Sequence, residues 1–298
     1  MTVTIGVHSS NPSLYHLYHL SRLGFAQEEL AALGETVAFF PYTNGVRTGE
    51  LLTRGVIDFG GTGSTPPVTA QAAGHDLVYT AVSAPRPGHG ALLVPEDGPV
   101  RSVADLAGAT VHLAIGSWQT HLIAKALDDA GLSYADDITA VRSGTDSERQ
   151  LRAGEIGAWV AQGPELAAAR RKGGLRTLVA TGDVISDRSV FFTRRDFAES
   201  RPGIVEALTR ALRRADDWAA ANPRAAAEIA AADLGGSADD WETALRALPW
   251  RIEAVSDEFI AEQQEAADIF HRTGFIDGPV EVAAARARAT GTAGPKAA

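Results

Sequence analysis

Apolar and polar positions alternate at the start of the chain, where Val3, Ile5 and Val7 sit between Thr2, Thr4 and Gly6 with the period of a half-buried strand. Ser9-Ser10-Asn11-Pro12 follows, a loop and N-cap with proline placed for a first helical turn. The rhythm then repeats. Thr36 to Phe40 is strand-like, Gly45 to Arg54 helical, Val56 to Phe59 a short strand, Val68 to Ala73 helical, and Asp76 to Val82 and Gly90 to Val94 are further strands. A second series places strands at Thr110 to Ile115, Ile138 to Val141, Ala158 to Ala161 and Leu175 to Thr181, with helices at Trp118 to Ala130, Thr145 to Ala153 and Pro164 to Arg171. Ser189 to Thr193 is the last strand. From Pro202 the period becomes helical, with apolar Ile204, Leu208, Leu212, Ala215 and Trp218, and Ala-rich helices continue past a break at Pro223. Ala289 to Ala298 reads as a disordered tail.

Strands alternating with helices at this spacing predict an α/β fold of open sheets with parallel connections. Two Pro/Gly-rich breaks, Ser83 to Gly90 and Gly182 to Asp187, divide the pattern. The expected architecture has two lobes: lobe one at 1–83 and 189–298, lobe two at 90–183. Two hinge crossings lie at about 83–90 and 182–188, and the C-terminal region is helical.

The 298 residues suit two domains, and 27 Lys+Arg against 37 Asp+Glu give a formal charge of −10. No Lys/Arg stripe is present, so nucleic-acid binding through phosphate contacts is excluded. Zero cysteines remove disulfides, thiolate nucleophiles and Cys-held metals together. The first basic residue is Arg22 and no apolar h-region precedes it, so no signal peptide is expected in this sequence, nor any run long enough to span a bilayer. The expected address is periplasmic or extracytoplasmic if a leader was trimmed, and cytoplasmic if Met1 is the natural start.

Three loops each follow a strand and feed a helix N-terminus, where free N–H groups and the helix dipole favour an anion even in an acidic chain. The first carries Ser9, Ser10 and Asn11. The second carries Thr62, Gly63, Ser64 and Thr65, and the third Gly116, Ser117, Trp118, Gln119 and Thr120. Each loop alone reads equally as ordinary capping. Trp159 and Gln162 close a strand, the position at which α/β sheets hold ligands. Arg188 either clamps an anion or pairs with Asp187 on the surface. Gly61-Thr62-Gly63-Ser64-Thr65-Pro66 lacks the third glycine of a dinucleotide fingerprint, no Gly-Lys-Ser/Thr follows, and no nucleophile elbow surrounds Ser64 or Ser117. His16 and His19 have no carboxylate cluster beside them, so no metal and no cofactor is expected. His8 and His121 are the candidate bases if the cleft is catalytic.

Gly61 to Tyr79, with Pro66-Pro67, then Leu92-Leu93-Val94-Pro95 and Val103 to Gly108, resembles the aliphatic-sulfonate, taurine and nitrate binding proteins of ABC importers. The likeness continues through Gly116-Ser117, Ala130-Gly131-Leu132, Ala158-Trp159-Val160 and Arg195 to Glu199, covering about residues 3 to 275. It implies the two-lobed periplasmic binding protein fold of the second type, a small sulfonate-like anion held between the lobes, an ABC permease as partner and a monomeric state. Phe59-Gly60-Gly61 with Pro66-Pro67 is also similar to the cytosolic aromatic sulfinate desulfinases. Their nucleophilic cysteine corresponds to Asn11 or a neighbour, so an enzyme on this fold would be a cysteine-independent lyase or hydrolase using a histidine base.

Overall fold

The computed structural model describes residues 1–287. The tail expected at Ala289 to Ala298 lies outside the described residues. The chain opens with β1 (Thr2–Val7), α1 (Pro12–His19), α2 (Phe25–Ala31), β2 (Thr36–Pro41), α3 (Thr48–Thr53), β3 (Gly60–Thr62), α4 (Thr65–Ala72) and β4 (Leu77–Ser83). Next come β5 (Gly90–Pro95), β6 (Thr110–Leu113), α5 (Trp118–Asp129), β7 (Thr139–Arg142), α6 (Ser147–Arg152), β8 (Ala158–Gln162), α7 (Gly163–Lys172) and β9 (Leu175–Ala180). The rest comprises β10 (Val190–Arg194), α8 (Arg195–Ser200), α9 (Pro202–Ala221), α10 (Pro223–Leu234), α11 (Ala238–Arg246), β11 (Ile252–Glu253) and α12 (Asp257–Arg272).

Local chemistry explains the helix starts that matter. The Asn11 side chain accepts from Leu14 N at 3.1 Å and Pro12 occupies the first turn of α1, while Ser117 Oγ accepts from Gln119 N at 3.1 Å at the head of α5. Two expected elements shift. The strand expected at Val56 to Phe59 moves to Gly60–Thr62, leaving Phe59 an isolated bridge to Ile5, and the helix expected from Gly45 begins as a 3-10 turn before α3.

Three sheets result, ordered β1-β2, β11-β4-β10-β3 and β7-β6-β8-β5-β9. The expectation of parallel connections holds only for the pairs β1·β2, β6·β7 and β6·β8. β10 runs antiparallel to β3 and β4, and β5 runs antiparallel to β8 and β9. The reason lies in the connections. β5 and β10 are entered by chain passing from one sheet to another, so no crossover helix within one sheet forces them parallel.

On α9, Ile204, Leu208, Leu212 and Ala215 are buried against Val3, Ile5 and Phe191. Trp218, the last member of that stripe, packs instead with the small cluster of Ala219, Ala226, Ala227 and Leu245. A larger core joins Leu92, Leu113, Leu122 and Leu127 to Phe259 and Phe270 of α12. α10 and α11 pack together, and α11 lies against α7 beside the five-stranded sheet.

Candidate functional site

A cavity of about 160 Å³ opens between the β1, β3 and β2–α3 loops on one side and the ends of β6, β7 and β8 on the other. Strand register builds the second wall. Leu113 of β6 pairs with Arg142 of β7, so Arg142 stands at the same C-terminal sheet edge as Gly116 and Ser117, the edge where parallel strands present ligand groups. Arg142 makes no ion pair among the described residues. No Asp or Glu lines this cavity, in a chain of net charge −10.

Hydrogen bonds orient the amides at its mouth. Ala114 N donates to Gln119 Oε1 at 2.7 Å, so the facing Gln119 atom, Nε2, donates to Gln162 Oε1 at 3.1 Å. Trp118 Nε1 donates to the same oxygen at 2.9 Å. The Gln162 Nε2 group is therefore left to donate into the cleft. Pro66 and Pro67 have no N–H, so the donors at the head of α4 are the amides of Gly63, Ser64 and Thr65.

The cleft therefore receives Ser10, Thr62, Gly63, Gly116, Ser117, Trp118 and Gln162 from the sequence-expected set. Ser9 and Trp159 line an adjoining cavity of about 470 Å³, although Trp159 is only 4% exposed and packs with Ala91, Leu93 and Leu166. The side chains of Asn11, Ser64, Gln119 and Thr120 are buried in supporting roles: Asn11 caps α1, Thr120 Oγ1 accepts from Gly116 N at 2.9 Å, and Ser64 Oγ meets His121 Nδ1 at 2.9 Å, whereas the Thr65 hydroxyl is buried outside both cavities with no partner among the described residues. Arg188 departs from both expectations. Its guanidinium turns inward to the Ser83 carbonyl at 2.8 Å and to Glu253 at 2.6 Å, while Asp187 pairs with Arg86 and His89.

His8 lines the smaller cavity with both ring nitrogens bonded within the protein, and His121 lies away from it. His8 Nε2 donates to the Gly61 carbonyl at 3.0 Å, so Nδ1 must accept from the Ser10 hydroxyl at 2.6 Å. Burial pushes the His8 pKa down to about 4 against the weaker opposing effect of the Gly61 bond, so the ring is neutral. Ser10, expected among the ligand-binding residues, has its proton on His8 and offers the cleft only lone pairs. His121 is 1% exposed, packs edge-on to Phe270 and lines neither cavity; burial lowers its pKa to about 4. Sequence reasoning missed Arg142, Thr43, Asn44 and Val46, which also line the smaller cavity.

Sheets facing each other across a polar cleft, joined by two passages of chain and backed by C-terminal helices, define the class of two-lobed α/β ligand-binding proteins. The chain belongs to the NMT1/THI5 like family, which matches residues 25–226. It is 30% identical over 247 residues to a putative aliphatic sulfonates-binding protein of Escherichia coli (strain K12), spanning 83% of this chain and 77% of that one. The fold matches the periplasmic aliphatic sulphonate binding protein SsuA from Escherichia coli with a TM-score of 0.85 and 28% identity, covering 96% of this chain and 97% of that one. It also matches the alkanesulfonate-binding protein SsuA from Xanthomonas axonopodis pv. citri bound to MOPS, with a TM-score of 0.81, 27% identity, and coverage of 96% and 97%. The fold is thus that of the periplasmic binding proteins. Among the described residues, no helix is long and apolar enough to cross a membrane.

Proposed function

We propose that this protein is the solute-binding component of an ABC importer and holds the sulfonate group of a small organic sulfonate in the smaller cavity. The observation that carries the reading is the pairing of Arg142 with the head of α5 in a cavity free of carboxylates. A tetrahedral anion needs converging donors; Arg142, the Gln162 amide, the Trp118 amide at the head of α5 and the amides at the head of α4 supply them. The relatives named for aliphatic sulfonates and the MOPS-bound neighbour support the same ligand class. In this reading the lobes are residues 1–83 with 189–298, and 90–183, which close about crossings at 83–90 and 182–188. The protein works as a monomer outside the cytoplasmic membrane, delivering its ligand to a permease. Of the two candidate bases, His8 has both ring nitrogens bonded within the protein and His121 lines neither cavity, which supports binding over turnover.

Thermal denaturation with alkanesulfonates, arylsulfonates, taurine, nitrate and carboxylates of matched length tests this. At a hundredfold excess over Kd, a sulfonate raises the Tm by about 5 to 10 °C, and the matched carboxylate less. Arg142→Gln reduces that shift without lowering the ligand-free Tm. No shift with any sulfonate at millimolar concentration overturns the reading.

A further inference from the structure

Ser64 stands at the N-cap of α4, yet its hydroxyl makes no capping bond. The cause is local: a cap serves the second or third amide of the helix, and those positions are Pro66 and Pro67, which have no N–H. The side chain turns instead to α5, where Ser64 Oγ meets His121 Nδ1 at 2.9 Å. The Ser64 carbonyl accepts from Gln263 Nε2 of α12. The start of α5 is built differently, since Ser117 caps its own helix. The head of α4 is thus held from outside, and its hydroxyl is anchored one turn inside the helix whose head forms the facing wall of the smaller cavity.

His121 is not what packing alone favours at this place. It is buried, packs edge-on to Phe270, and its Nε2 has no hydrogen-bonding partner among the described residues. A polar nitrogen left buried and unpaired costs free energy that an aliphatic side chain would not. What the ring provides in return is the bond to Ser64. Neither side chain lines either cavity, so both act on the site from behind it. We infer that His121 is a positioning residue for the sulfonate: its bond to Ser64 sets the amides at the head of α4 against the Trp118 amide at the head of α5, so that both groups of donors converge on one anion. This deepens the sulfonate reading above and rests on it.

Calorimetric titration with ethanesulfonate, pentanesulfonate and benzenesulfonate, beside urea denaturation without ligand, separates positioning from packing. The double variant Ser64→Ala with His121→Leu removes both partners of the bond together with the unpaired nitrogen. It is expected to be at least as stable as the native chain and to bind about three- to tenfold more weakly, the worth of one buried hydrogen bond. Ser64→Ala alone, the smallest change, is expected to weaken binding likewise. His121→Asn, whose amide reaches the place of Nδ1, is expected to bind more tightly than His121→Leu. Native affinity in Ser64→Ala and in the double variant, or equal weakening in His121→Asn and His121→Leu, overturns the inference while the sulfonate reading stands. A double variant less stable than the native chain makes His121 a packing residue and overturns it as well. Failure of all three sulfonates to bind the native chain overturns both.

Discussion

His89 Nδ1 donates to Asp187 Oδ2 at 2.7 Å, joining the chain that leaves β4 to the chain that enters β10. Arg86 Nη2 meets the other Asp187 oxygen at 2.9 Å, and all three side chains are buried. Burial alone would raise the Asp187 pKa, but Arg86 and His89 outweigh it and hold the carboxyl below its usual range. Asp187 has φ 44, a left-handed backbone that a non-glycine residue adopts at a cost, so these bonds also hold a strained turn. Asp187→Asn keeps the size and removes the charge opposite Arg86. It is expected to cost ~3–5 kcal/mol, the price of leaving a buried cation unpaired. Urea denaturation at neutral pH checks this, and a loss under about 1 kcal/mol would show the network to be dispensable.

Gly63 lies against Trp118 where the two walls of the smaller cavity meet. A Cβ built on Gly63 lies 2.9 Å from Trp118 Cβ, and the Gly63 backbone needs no left-handed φ. Gly63→Ala therefore strains no turn, yet forces apart the loop after β3 and the start of α5. The expected penalty of ~1–3 kcal/mol falls on the closed, ligand-bound form, weakening sulfonate binding about five- to hundredfold. Titration gives the affinity, and small-angle scattering with saturating ligand is expected to show less compaction than for the native chain. Native affinity in the variant would mean that these residues do not approach on closure.

Parts of this arrangement were legible in residue order and parts were not. Ser117 before Trp118, and Asn11 before Pro12, announce their helices because capping is local chemistry. The α9 stripe announces its buried face for the same reason. Strand direction is not local: Gly90 to Val94 reads as a strand, but nothing within it says that β8 and β9 will run opposite to it. Arg142 was equally hidden, since Thr139-Ala140-Val141-Arg142 looks like any strand ending in a surface cation. Only its register beside Leu113 brings it to Gly116. Its position as the last residue of a strand in an α/β unit was the available signal. The direction of the Ser10 hydroxyl is likewise invisible in residue order, because its proton acceptor, His8 Nδ1, is fixed by the distant Gly61 carbonyl.

The buried titratable groups predict how stability follows pH. Burial pushes His8, His16 and His121 down to about 4, from 6.5 in the open chain. Between those values the unfolded chain binds protons that the folded chain does not, so stability rises with pH across this window and falls on acidification. His89 and His112, also held low by burial, act in the same direction. Asp216 opposes them. Burial raises its pKa to about 7, partly offset by a bond from Ser13, and its Oδ1 has no partner. From about 3.8 to 7 the folded chain therefore holds a proton on Asp216 that the unfolded chain has lost, a contribution to stability that disappears as pH rises. Urea denaturation from pH 4.5 to 8 is expected to show stability climbing to about pH 6 and then flattening. Asp216→Asn, which removes the opposing ionisation, is expected to steepen the climb and to be ~1–3 kcal/mol more stable than the native chain at pH 8. Parallel curves for the two proteins would mean that Asp216 ionises in the folded chain as it does in the unfolded one.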